Sequence, residues 1–456
     1  MKILFIAPLP PPVHGSSMVS KYIKESTLIQ ESFDCDFVNL STSRTMEEIG
    51  KGGIKKLFRF VAAYFEVLWK LITHRYSLCY LAITCHGMGF LKDAPFVLLC
   101  KLFGRKVVLH QHNKGMSRDV NRWPYRWLMP LVYRNTTVML LSWHLYEDIS
   151  AVVKREQVVV CANGVPPLDN GQQTTDNSQL STDGLFNQHD KHTNLDALTH
   201  TQACAGHPDE GFGLTQKSQN TQKNIVSQDK QSTLDENSQN LQVASPLLAS
   251  GMGRHREAQF SSSLSSSLEP SVPRLLFLSN LIESKGIYVL LEACRMLKEE
   301  GIVFQCDYVG GESKLISGEA FRSAIAERGL TDCVTYHGPQ YGAAKDRFFR
   351  EADIFVQPTS DDCFPLTLVE AMQYRLPIVS TDVGAIPDIV TDGVNGFVCP
   401  QRDVQALAEA LRKLIAEPQM RVAMGQRGYE LYRERMTLEV FEMRFTGLLK
   451  GIVGNG

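Results

Sequence analysis

The 456-residue sequence predicts an α/β protein: two doubly wound parallel sheets in tandem, with a cleft between them. Three observations lead there. Each half of the chain alternates apolar, strand-like runs with helical stretches, the pattern of a parallel sheet covered on both faces. A single sharp break in composition, from about Leu168 to Pro270, separates two halves of comparable length. Hydrophobic residues make up 43% of the chain and charged ones 21%, an ordinary balance that can fill large cores.

In the first half the expected strands are Lys2–Ala7, Cys35–Leu40, Leu78–Ile83, Lys106–His110, Thr137–Leu141 and Gln157–Cys161. In the second they are Arg274–Ser279, Phe304–Val309, Val334–His337, Ile354–Gln357, Pro377–Ser380 and Gly396–Val398. Helical stretches such as Ile287–Glu299 and Val404–Ala416 separate them. The apolar start Lys2–Ala7 runs into Pro10-Pro11-Pro12 with no small-residue cleavage pattern, so it reads as a buried first strand rather than a secretory signal. No uninterrupted apolar run approaches the ~18–20 residues that cross a bilayer. The expected organisation is a first doubly wound domain over 1–167, a polar insertion over 168–270, a second doubly wound domain over 271–435, and a C-terminal helix over 436–456 that packs back on the first domain.

The 168–270 tract is rich in Gln, Asn, Ser, Thr and Asp, has no Trp or Tyr, and contains only Phe186, Phe212 and Phe260 as aromatics. Such a stretch buries too little apolar area to offset its ordering entropy, so disorder is expected. Its five histidines (His189, His192, His200, His207, His255) are irregularly spaced, which favours solvated side chains over a metal tract. Lys+Arg 47 against Asp+Glu 49 argues against a wholesale nucleic-acid binder. The 11 cysteines show no Cys-x-x-Cys pair and no zinc spacing, which fits reduced thiols in the cytoplasm.

Three segments of the first half are candidates for function. Strand Lys2–Ala7 leads through a Pro-rich loop to Gly15-Ser16-Ser17 and a helix from about Met18, a start that offers N–H groups to an anion or is simply capped by Ser16. It carries neither a dinucleotide-binding nor a P-loop glycine pattern. Gly52–Arg75 mixes Phe, Leu and Trp with Lys55, Lys56, Arg59 and Lys70; it reads either as a basic amphipathic helix for an anionic membrane or as a core helix. After strand Lys106–His110, His110 and His112 fall on one face at the strand's carboxyl end, either to bind a hydroxyl or phosphate or to serve as structural histidines.

The second half carries more chemistry. Strand Arg274–Ser279 is followed by Asn280, Lys285 and Gly286 and then a helix, which suits Lys285 to a phosphate. Gly310-Gly311-Glu312 follows the next strand, where glycines let a flat ring or ribose approach the backbone. In the run Pro358–Met372, Asp362 lies in a loop and Glu370 eight positions on in a helix, with Phe364, Pro365, Leu366 and Thr367 at the helix start. Two carboxylates thus flank an anion-binding helix terminus, able to accept from sugar hydroxyls on one side and ribose on the other.

These motifs resemble the retaining GT-B glycosyltransferases of the glycosyltransferase 4 family, the glycosyl transferases group 1 type, whose fold is two Rossmann-like domains facing a cleft. The family's acid-x7-acid motif corresponds to Asp362 and Glu370, and its Lys-Gly element to Lys285-Gly286. Its Gly-x-Pro-Asp and Asp-Gly-x-Asn-Gly elements correspond to Gly384–Val390 and Asp392–Gly396, and Asn-Gly-Val to Asn163-Gly164-Val165. Asn280 stands where the family usually has Arg, Asp362 where it has Glu, and Cys363 where Gly is common.

The resemblance implies sugar transfer from a nucleotide-diphosphate sugar to a hydroxyl of a glycan or lipid-linked acceptor, in cell-surface polysaccharide, lipopolysaccharide or other glycan synthesis. By residue, it implies Glu370 on the donor ribose; Asp362, with backbone amides near Phe364 and Leu366, on the transferred sugar; and Lys285 on the diphosphate, helped by the Gly15 loop. His112 would touch the sugar or reacting centre, with Asn280, Gly310, Gly311 and Thr367 completing the donor site. No metal or other cofactor is implied, and the location expected is the cytoplasm, peripheral on the inner membrane face through 51–75. Two alternatives remain: a nucleotide-sugar epimerase of the same shape, using Asp362, Glu312 or the histidine pair, and a non-catalytic nucleotide-sugar-binding protein.

Overall fold

A computed structural model describes residues 1–11, 15–41, 53–168 and 272–454. The polar tract expected to be disordered lies, but for Leu168, outside the described residues. All twelve expected strands are present, and no end moves by more than one residue. In the first lobe these are β1 (Lys2–Ala7), β2 (Asp34–Asn39), β3 (Leu78–Ile83), β4 (Lys106–Gln111), β5 (Thr137–Leu140) and β6 (Val158–Val160). The second lobe has β7 (Arg274–Leu278), β8 (Gln305–Val309), β9 (Val334–Tyr336), β10 (Ile354–Gln357), β11 (Ile378–Thr381) and β12 (Gly396–Cys399).

Each lobe is one six-stranded parallel sheet. The strand orders are β2-β1-β3-β4-β5-β6 and β12-β11-β10-β7-β8-β9. The central strands are apolar because both their faces are covered; every residue of β3 is buried. In such sheets ligands lie beyond the carboxyl ends where the strand order reverses. That point falls between β1 and β3 in the first lobe and between β7 and β10 in the second.

The chain is stitched back to its start. Val165 donates its N–H to Met436 O (3.0 Å), and Leu438 donates to Val165 O (2.9 Å). Gln373 donates to Pro166 O (2.7 Å) and to the Tyr432 hydroxyl (2.9 Å). Helix Leu438–Gly454 then buries Phe441, Phe445 and Leu449 among Ile3, Phe5 and Tyr80 of the first lobe, with the Tyr80 and Phe445 rings edge to face at 5.4 Å. The Asp392–Gly396 motif is a turn in which buried Asn395 accepts from Thr391 N (2.8 Å) and donates to Ile389 O (3.0 Å).

One boundary needs correction. The first helix spans Gly15–Glu25 rather than starting near Met18, because buried Ser17 and Ser20 extend the face of Val19 and Ile23 backwards. Gly15 is therefore a first-turn helical residue and not a loop residue. The membrane-or-core helix spans Ile54–Thr73, and only Val67 and Leu71 on it are buried. Among the described residues no helix is long and apolar enough to cross a membrane, and none of their ten cysteines is disulfide-bonded.

Candidate functional site

The reversal point of the second sheet gathers the charged motif residues. Beyond β7 the chain makes a short turn, Glu283–Lys285, and enters helix Ile287–Glu299 through Gly286. Gly286 has a positive φ of 83°, and a Cβ there would run into Pro358 O beyond β10, so the two loops pack backbone to backbone. That approach delivers the Lys285 ammonium to Asp362 Oδ2 (2.6 Å) and to the Asp361 carbonyl (3.1 Å). Asp362 Oδ1 accepts from Cys363 N (2.8 Å), while Oδ2 also meets the Gln357 amide (3.4 Å).

Buried Gln357 is a support that the sequence reading missed. Its Oε1 accepts from the Thr367 hydroxyl (2.8 Å) and its carbonyl from Ser380 (2.7 Å), so the end of β10, the Asp362 loop and helix Leu366–Gln373 are locked together. Pro365 caps that helix and Leu366 opens it; Leu368 N donates to Pro365 O (3.1 Å), and the Leu366 and Thr367 N–H groups precede the first intrahelical bond. Phe364 is buried beneath this terminus. Glu370, on the same helix, is paired through Oε1 with Lys345 of helix Ala343–Glu351 at 3.0 Å. Nothing in the motif pointed to Lys345, because its segment lies outside the quoted run.

Asn280 does not reach the acids. Its Oδ1 accepts from Gly311 N (3.1 Å), tying the loop after β7 to the loop after β8. Gly310 has φ 156°, and a Cβ there would collide with Ser279 O, so the same two loops touch through bare backbone. Asn280, Gly310 and Gly311 thus form one wall of the crevice beside Lys285.

The first lobe supplies the opposite wall. Beyond β4, Lys114 and Arg118 reach Asp361 Oδ1 (3.3 Å) and Oδ2 (3.5 Å), so two cations of one lobe hold one carboxylate of the other. Their loop is fastened by Asp148, which accepts from Gly115 N (2.8 Å), Met116 N (3.0 Å), Ser117 N (3.2 Å) and the Ser117 hydroxyl (2.6 Å). Burial opposes the charge on Asp148, but the Ser117 hydroxyl and the three N–H groups overcome it and hold the carboxyl below its usual range. Further along, His144 faces Asp388 at 3.4 Å. Helix Gly15–Glu25 contributes Tyr22, whose phenol is pushed up to about 12 by burial and then by the charges of Glu370 and Glu25. Gly15 therefore begins the helix that carries Tyr22.

The two histidines separate in role. His110 is fully buried in β4, with Nδ1 bonded to the Tyr80 hydroxyl (2.7 Å), and burial followed by its neighbour His112 holds its pKa well below the ordinary value. It is a neutral structural residue. His112, half-buried just past the strand, packs its ring against His110 at 4.1 Å between centroids and lies two residues before Lys114. Among the described residues no three His, Cys, Asp or Glu side chains converge as a metal site.

The family model described as "Glycosyl transferases group 1" matches residues 264–431. The amylovoran biosynthesis glycosyltransferase AmsK of Erwinia amylovora is 36% identical over 148 residues, 31% of this chain and 35% of that protein. The chain thus spans about a third of the length of the curated relatives it matches. In structure it resembles sucrose-phosphate synthase of Thermosynechococcus elongatus (TM-score 0.62, 14% identity, all of both chains). It also resembles Anabaena Alr3699/HepE in complex with UDP-glucose (TM-score 0.60, 14% identity, 99% of this chain and 100% of that one). The whole described body has the two-lobed GT-B fold, and residues 264–431 match the glycosyl transferases group 1 family.

Proposed function

We propose that the protein is a retaining glycosyltransferase that moves a sugar from a nucleotide-diphosphate sugar to a hydroxyl of a glycan or lipid-linked acceptor in cell-surface polysaccharide synthesis. The observation that carries this reading is the Lys285–Asp362 contact at the reversal point of the second sheet, beside the open N-terminus of helix Leu366–Gln373. The matched group 1 segment contains these residues, and relatives and structural neighbours named for glycan synthesis or bound to UDP-glucose support it.

Lys285 uses two of its three N–H donors on Asp361 O and Asp362, and the third would take a diphosphate oxygen. Glu370, steadied by Lys345, would accept from the ribose hydroxyls, and Asp362 from the sugar, with Phe364, Leu366 and Thr367 shaping the helix start. Asn280, Gly310 and Gly311 would bound the nucleotide, and Gly15 would open the facing helix. His112 would contact the sugar or reacting centre. The bond from the anomeric carbon to the diphosphate oxygen breaks, and the acceptor oxygen attacks from the same face. The acceptor's proton passes to the leaving diphosphate. Catalysis is then positioning plus stabilisation of the leaving group by Lys285 and backbone N–H groups, with no metal required. On this reading the enzyme would act at the cytoplasmic face of a membrane and touch it through the 51–75 segment.

Incubation with nucleotide-diphosphate sugars and lipid-linked acceptors tests the reading. Release of nucleoside diphosphate coupled to a product of unchanged anomeric configuration is expected, undiminished by chelator. Interconversion of the donor sugar without acceptor would replace it with an epimerase, and binding without turnover would leave a non-catalytic binder.

A further inference from the structure

The helices that connect β2 to β3 (Ile54–Thr73), β3 to β4 (Gly87–Leu102) and β4 to β5 (Tyr125–Tyr133) all cross the first sheet in one direction. Right-handed crossovers place them in one layer on one face. Contacts bear this out: the Phe60 and Phe96 rings meet edge to face at 5.4 Å, the Phe90 and Tyr125 rings lie 6.1 Å apart, and Lys101 donates to the Leu131 and Val132 carbonyls at 2.8 Å. The outside of this layer is unusually apolar for an exposed surface. On helix Ile54–Thr73, Phe58 is 70%, Phe65 60% and Trp69 67% exposed, in a row that also carries Ile54, Leu57, Val61 and Ile72. Two helices away, Trp123 is 79% and Trp127 69% exposed, next to exposed Leu131 and Leu102. Three of the chain's four tryptophans therefore stand out from this single layer.

The charge on the layer selects the partner. Helix Ile54–Thr73 carries Lys55, Lys56, Arg59 and Lys70 against one acid of its own, Glu66, with Lys70 also paired to Asp36 of β2 (3.8 Å). Beside the two tryptophans in sequence are Arg122, paired with Asp119 (3.2 Å), and Arg126, whose guanidinium lies 5.2 Å from the Trp127 ring centre, with Arg134 just past the helix end. The chain as a whole has a net charge of −2, so this basicity is local. Exposed Trp and Phe among Lys and Arg suit a negatively charged lipid interface, where rings sit at headgroup depth and cations meet phosphates. Arg59 and Phe60 also line a cleft of about 230 Å³ with Asn39, Leu40 and Ser41 at the carboxyl end of β2.

We propose that helix Ile54–Thr73 and the Trp123–Arg134 segment together form one docking face for an anionic lipid bilayer. The proposal rests on the membrane-face reading above and extends it to a second strip, at Trp123 and Trp127, which fixes how the lobe lies on the surface. Two strips on separate helices define a plane, whereas one helix would leave the protein free to roll.

The test is sedimentation of the full chain with vesicles of phosphatidylcholine alone or mixed with phosphatidylglycerol. The unmodified protein is compared with a Phe58→Ser/Phe65→Ser/Trp69→Ser variant and a Trp123→Ser/Trp127→Ser variant. Melting temperature and nucleotide-sugar binding in solution verify that both variants are folded. Expected are binding to the anionic vesicles only, weakening as salt rises, and a loss of at least about tenfold in each variant. Loss in the helix variant alone would overturn the two-strip face and leave the single-helix reading standing. Absence of vesicle binding by the unmodified protein, or indifference of both variants, would overturn both. Self-association abolished by the substitutions, without vesicle binding, would make the face a contact between copies and overturn the proposal.

Discussion

Both lobes hold six parallel strands between helices, yet their strand orders and their charged residues differ. The second lobe reverses order between β7 and β10 and places there two separate ion pairs, Lys285–Asp362 and Lys345–Glu370, with Asp361 beside the first. The first reverses between β1 and β3 and answers with Lys114 and Arg118 from the loop beyond β4, while the outside of its helical layer is left apolar and basic. The difference teaches a division of labour: one lobe gathers charged side chains at the reversal point of its sheet, and the other turns an apolar and basic face outward.

Substitutions sharpen that comparison by the size of their effects. The largest is expected at Lys285. Lys285→Ala should lower kcat about 10²–10³-fold in a transfer assay, since the leaving group loses its nearest cation and Asp362 loses its partner. Glu370→Ala should act on binding instead and raise the donor KM about 10–100-fold, the cost of losing hydrogen bonds to a charged acceptor. Comparable losses of kcat for the two variants would break the assignment of separate roles.

Asp148 tests the first lobe. Asp148→Asn should destabilise the protein by about 1–3 kcal/mol at neutral pH, read from the urea midpoint, because the loop of Gly115–Ser117 loses its charged acceptor. The folded-state pKa lies below the unfolded one, so the stability contributed by the carboxylate is complete above about pH 4 and is lost as pH falls through the folded value. The gap between variant and parent should therefore shrink in acid; a gap independent of pH would assign the effect to packing. Smallest is the effect of Lys114→Ala and Arg118→Ala. Their bridges to a half-exposed Asp361 should be worth about 0.2–1 kcal/mol each and fade as salt rises.

Much of this was legible in the sequence. The strands were, because continuous apolar runs such as Leu78–Ile83 belong only inside a covered sheet. Lys285 and Asp362 could be set beyond carboxyl ends of strands from the sequence, whereas their 2.6 Å ion pair had no local signature. What stayed hidden depends on distance in sequence. Lys345 reaches Glu370 across 25 positions, and Asp148 fastens residues more than 30 positions earlier; neither has a local signature. His110 and His112 looked equivalent by alternation; full burial and the bond to the Tyr80 hydroxyl set His110 apart. The helix Ile54–Thr73 was ambiguous because composition cannot reveal which side of an amphipathic helix meets the core; here it is the side of buried Val67 and Leu71, with Phe60, Ala63, Tyr64 and Leu68 partly buried beside them.

The most direct measurement is isothermal titration of the full chain with a nucleotide-diphosphate sugar, repeated on Lys285→Ala and on Lys114→Ala. The account predicts micromolar-range binding that Lys285→Ala weakens at least about tenfold and Lys114→Ala weakens far less. Equal affinity in the parent and in Lys285→Ala would contradict it, since the diphosphate would then not be held at the reversal point of the second sheet.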